Sequence, residues 1–123
     1  MLTCGNAWSV VVQNRISTGN DDVEERISDG DMYYVSSDLE MAHDDYVGGR
    51  QIVGLRFQGV NIPSGATINS AYVEFDADRS HTGNTQLVIS GESTGNAASF
   101  DALQFVGRRN KTTASVNWDP GSW

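Results

Sequence analysis

Cysteine is almost missing from this chain: Cys4 is the single one among 123 residues. No disulfide can form within the chain, so the fold has to rest on a packed core instead of staples. Lysine is equally scarce, since all but one of the eight basic residues are arginine, and 16 acids leave a formal net charge of −8. That balance argues against nucleic acid as a partner, because its binding relies on cations that displace condensed counterions. No apolar run approaches the roughly 20 residues that a bilayer-spanning helix needs, so membrane insertion is not expected. Only two prolines occur beside 13 glycines, and the long Ala/Leu/Glu/Lys-rich stretches that make helices are absent, which leaves helix a minor component. Neither the H-E-x-x-H pair of metalloproteases nor the phosphate-cradling G-x-x-x-x-G-K loop occurs. Carboxylates are plentiful, but no long cleft-forming loop is present to raise the pKa of one while its neighbour stays ionised. An enzymatic activity is therefore not expected.

What is present is β-sheet patterning. Ala7 to Gln13 is β-branched and aromatic and runs into the turn formers Ser17 to Asn20, so a first strand is expected there. Between Asp21 and Asp45 lie ten of the 16 acids and a single arginine, Arg26, and their mutual repulsion has to be relieved by water, cations or partners. Within that segment Met32 to Val35 and Leu39 to Ala42 read as short strands. Gln51 to Phe57 alternates strictly, as does Ala71 to Ala77, and between them Pro63 and Gly65 mark a reversal. Leu87 to Glu92 and Thr112 to Trp118 complete the set, with a short helical turn expected over Ser99 to Leu103. Six to seven strands at this spacing predict a β-sandwich or barrel. Residues 1–20 are expected to be an N-terminal strand segment that pairs with a neighbour, and residues 21–123 the sandwich module.

Three segments carry a resemblance. Ser36-Ser37-Asp38-Leu39-Glu40, the stretch from Gln51 to Phe75 with Val53-Gly54-Leu55-Arg56-Phe57 and Ile62-Pro63-Ser64-Gly65-Ala66-Thr67-Ile68, and Thr112 to Trp118 together resemble an extracellular bacterial β-sandwich module. More distantly, the chain is similar to DNRLRE-type domains and to the carbohydrate-binding modules of polysaccharide lyases. The resemblance implies an all-β, jelly-roll-like antiparallel β-sandwich of about six to eight strands, and a non-catalytic module on the bacterial cell surface or outside the cell, which binds carbohydrate or tethers a larger protein. A structural or adhesive subunit that self-assembles through its sheet edges is the alternative, and a fragment of a polysaccharide-degrading enzyme a second one. Relatives of that kind continue with further strands, so the chain is expected to be truncated or to complete its sheet by other means. The bulky Asp31 to Val35 also replaces their usual serines and threonines.

Candidate sites follow from residue chemistry beside that resemblance. Calcium takes six to eight oxygen ligands, and Asp21, Asp22, Glu24 and Glu25 on one turn, with Asp38 from a neighbouring strand, are the candidates. No EF-hand loop is present, and a solvated acidic face is the plainer reading of the same residues. A sugar site needs aromatic faces beside hydrogen-bonding groups, which singles out Tyr33, Tyr46 and Tyr72 with Arg50. Ordinary strand composition accounts for each tyrosine equally well. Assembly with neighbouring copies would use Trp8, Val10, Val11 and Val12 together with Trp118 and Trp123, since an unbroken β-branched run fits a strand covered on both faces.

Overall fold

The computed structural model describes residues 9–46, 48–101 and 105–122. Among them, strands β1 (Asp22–Arg26), β2 (Met32–Tyr33), β3 (His43–Asp44) and β4 (Gly49–Leu55) form an antiparallel sheet in the order β2-β1-β4-β3. A second antiparallel sheet pairs β5 (Leu87–Glu92) with β6 (Lys111–Trp118). Among the described residues helix is limited to a 3-10 turn at Val106–Arg108. The chain is thus almost entirely β, as its composition predicts. Strands of one sheet make at most marginal contact with strands of the other.

The acidic segment, expected as a turn at Asp21 to Glu25, is instead the inner strand β1 of the larger sheet. Alternation makes this tolerable, because successive side chains leave a strand on opposite faces. Val23 lies opposite Gly54 and Glu25 opposite Ile52. This face meets Phe100 and Val106, and the buried trio Val23, Phe100 and Val106 with Met32, Tyr34 and Ile52 around it is the core. Gly54 permits the close approach: a Cβ there would sit 2.7 Å from Phe100 Cζ and 2.9 Å from Val106 Cγ2, inside any van der Waals contact. Glu25 is buried on the same face, and its carboxylate accepts the Gly107 N–H at 2.7 Å. Arg109 then joins the hairpin sheet to this core. It donates to Glu92 at 2.8 Å and to the carbonyls of Ala98 and Ser99, with its guanidinium 4.3 Å over the Phe100 ring.

Several expected elements differ. The strand expected over Ala7 to Gln13 is not formed at residues 9–13, while Ala7 and Trp8 lie outside the described residues. Leu39 to Ala42 and Ala71 to Ala77 are not strands either. Alternation gives a segment two chemically different faces, but a strand exists only where a neighbouring backbone supplies the ladder. The helical turn expected over Ser99 to Leu103 falls partly outside the described residues, and a 3-10 turn is present at Val106–Arg108. The reversal at Pro63 stands as read, closed by Ala66 N–H donating to the Pro63 carbonyl at 3.1 Å.

Candidate functional site

The face of the larger sheet opposite the Val23 core carries an acidic depression of about 290 Å³, lined by Glu24, Tyr33, Val35, Ser36, Glu40, Asp44 and Tyr46. Glu24 is 3% exposed and accepts a hydrogen bond from the Glu40 backbone N–H. Burial, and then the neighbouring Glu40 carboxyl, push its pKa up to about 7, with Asp44 adding to the same effect. A proton is therefore retained where three carboxyls crowd together. Tyr33 is held in place as its hydroxyl donates to Asp31 at 3.2 Å, and Arg26 lies 5.9 Å over its ring. Tyr46, by contrast, stands free at 97% exposed. Gln51 shares this face, two residues from Val53, which pairs with Glu24. It is buried, with neither amide atom hydrogen-bonded.

Of the four residues singled out for sugar, the structure brings Tyr33 and Tyr46 to one depression. Arg50 is exposed opposite His43 on β3, and Tyr72 is exposed in the irregular segment after the Pro63 turn. Glu40 and Asp44 complete the lining without having been singled out; the acidic run was their only signal, and it does not tell a lining residue from a solvated one.

The five carboxylates considered for calcium are dispersed. Asp21 is buried and engaged by Arg56 at 2.5 Å, by Thr18 at 2.7 Å and by Gln58. Burial alone would raise its pKa, but these hydrogen bonds outweigh it and hold the carboxyl below its ordinary value. Asp22 and Glu24 point to the face opposite Glu25. Asp38 accepts from Ser36 and Ser37 and pairs with Arg79 at 3.6 Å. Among the described residues no group of three or more His, Cys, Asp or Glu side chains is placed to hold a metal ion. These residues do not form one ligand set.

Of the assembly candidates that are described, the three valines are exposed and Trp118 is not. Val10, Val11 and Val12 are 80%, 85% and 45% exposed. Trp118 is half-buried, stacked on Phe75 with ring centroids 5.2 Å apart at 16°. Trp8 and Trp123 lie outside the described residues. The register of the hairpin places Leu87 opposite Trp118 and Ile89 opposite Val116, so one face of β5 and β6 is apolar, while Ser90, Ser115 and Asn117 lie on the other. Sequence reading did not single out Leu87, Ile89 or Val116, although their alternation was visible. Ile89, Val116 and, on the polar face, Val88 are all exposed. The whole chain exposes 9988 Å², whereas a compact fold of this size exposes about 6,500 Å².

One catalytic spacing was missed in the sequence: Gly91-Glu92-Ser93-Thr94-Gly95 reads G-x-S-x-G. A nucleophile elbow requires a strand, a sharp turn and then a helix. Ser93 instead leaves β5 into a bend, its N–H donating to the Asn110 carbonyl at 2.7 Å, and no helix follows. Compared with family models, curated proteins and solved structures, the chain matches none of them.

Proposed function

We infer that this chain is a non-catalytic module of an extracellular or cell-surface bacterial protein that acts by association. Its jelly-roll-like sandwich is completed when the uncovered β5–β6 sheet is seated against a neighbouring copy. The carrying observation is the excess of exposed surface: 9988 Å² against about 6,500 Å² for a compact fold leaves roughly 3,500 Å². That excess is larger than the roughly 800 Å² per partner of a standard interface. Much of the exposed surface is apolar, and the chain carries few of the lysines and prolines that blunt open sheet edges. Sedimentation velocity across a concentration series tests the reading. Species heavier than one chain are expected, and a compact monomer at every concentration would overturn it.

A second reading is favoured by one specific observation, the meeting of Tyr33 and Tyr46 beside Glu24, Glu40 and Asp44. An exposed aromatic ring next to carboxylates suits a pyranose, whose C–H face stacks while its hydroxyls donate. The depression has room for about one sugar ring. Tyr46→Ala should reduce retention on a polysaccharide column without altering the circular dichroism spectrum, and unchanged retention would remove this reading.

A further inference from the structure

The association reading leaves open how two copies meet, and the two unpaired β-features of this chain answer that question. The first is Ser9-Val10-Val11-Val12-Gln13, a run of three β-branched residues with no strand partner and large exposure. Three consecutive apolar residues suit a strand covered on both faces, a condition that residues 9–13 do not meet within their own chain. The second is the β5–β6 hairpin, a two-stranded sheet with both outer edges unpaired among the described residues. Two strands alone are marginal in water, and a third is what such a sheet needs.

The edges of the hairpin are not equivalent. Between the pairs Ser90 with Ser115 and Glu92 with Lys111, β6 carries extra residues, so the ladder bulges on the β6 side. Bulges twist an edge away from further pairing. The β5 edge, from Leu87 to Glu92, lacks that device, and its side chains are exposed from Val88 to Gly91.

Donor and acceptor both belong to this chain, and charge does not oppose a second copy of it as the occupant. Acids crowd the span from Asp21 to Asp45, whereas residues 9–13 carry no charge and β5 and β6 carry only Glu92 and Lys111. Two copies at net charge −8 repel in most orientations, and a contact between these segments joins the electrically quiet part of each. The excess surface of roughly 3,500 Å² is ample for such a contact.

Resting on the association reading, we propose that copies join head to tail: residues 9–13 of one chain add as a strand to the β5 edge of the next. Donor and acceptor are different surfaces, so the contact is heterologous and does not stop at two copies. Assemblies grow with concentration into rings or open chains.

The test uses two variants of the full chain. Val11→Pro removes a backbone donor from the joining segment, at an exposed position that makes no strand in its own chain. Val88→Lys places on the β5 edge the residue that most often blocks such edges. The lysine also lowers the net negative charge, so a loss of assembly cannot be put down to added repulsion. Each variant alone is expected to sediment as a monomer with an unchanged circular dichroism spectrum. An equimolar mixture is expected to give a 1:1 heterodimer, since one working donor and one working acceptor remain. A peptide of residues 9–15 in excess should shorten wild-type assemblies. Assembly that survives Val11→Pro, or a mixture that stays monomeric while the wild type assembles, would overturn the head-to-tail contact and leave the association reading standing. A wild type that is monomeric throughout would overturn both.

Discussion

The two sheets treat polarity in opposite ways. The four-stranded sheet buries Glu24, Glu25 and Asp44, and Asp21 directly before β1, each a charged residue type, while the β5–β6 pair leaves Val88, Ile89 and Val116 in water. The comparison teaches that burial in this molecule follows available partners more than hydropathy. Asp21 is buried where Arg56, Thr18 and Gln58 converge on it, and Glu25 where Gly107 meets it. Apolar strands stay exposed where no second layer reaches them.

The sharpest way to break the comparison is to remove a partner from the acidic sheet. Arg56→Met leaves the buried Asp21 carboxylate without its cation and is expected to cost about 3 kcal/mol in urea unfolding, since an uncompensated buried charge is the costly outcome. A loss below about 0.5 kcal/mol would show that Asp21 is better solvated than its surroundings imply.

Glu24 gives a pH test. Its folded pKa of about 7 lies above the ordinary 4.5, so the folded state binds the proton more tightly than the unfolded one. The stabilisation is fully present below about pH 4.5 and is lost as the pH rises through about 7. Glu24→Gln keeps the neutral shape, and should flatten that part of the stability profile and raise stability at pH 8 relative to the wild type. A parallel profile in wild type and variant would count against the crowded carboxyls.

Gly54→Ala sets a methyl group against Phe100 and Val106 and is expected to cost about 1–3 kcal/mol by overpacking. Thermal unfolding reads this directly, and a neutral result would mean that the core yields more easily than its closeness implies. The smallest effect is expected from removing calcium with a chelator. With the five candidate carboxylates dispersed, the melting temperature should not move, and a fall would show a bound ion, because a ligand held only by the native state stabilises it by mass action.

How much of this could be read from the residues divides along the same line. β5 and β6 were legible as strands almost to the residue, since β-branched runs bounded by turn formers mark strands, but their pairing across residues 93–110 was not. β4 was legible for the same reason, although Phe57 lies beyond its end. The strand at Asp22–Arg26 was not, because four charges in five residues oppose every β-propensity argument, and only the distant partner Gly107 makes Glu25 tolerable inside. Ala71 to Ala77 shows the converse, since its pattern is strong and no ladder forms. At the acidic depression Tyr33 and Tyr46 had been singled out for their rings alone, without any sign that they meet, and Glu40 and Asp44 depend on a chain crossing that periodicity does not encode.

The bond from Gly107 to the Glu25 carboxylate spans 82 positions of sequence, and it has a consequence in time. During synthesis at roughly 5–20 residues per second, β1 waits several seconds for the turn that completes its core. Throughout that interval Val23 has neither Phe100 nor Val106 to pack against, and Glu25 has not met its amide. So non-local a contact also places this fold among the slower ones, because loop closure has to be paid for before the contact returns anything. The nascent chain therefore presents its strands to neighbours before its own second half arrives, and this is the stage at which copies made side by side can first exchange them.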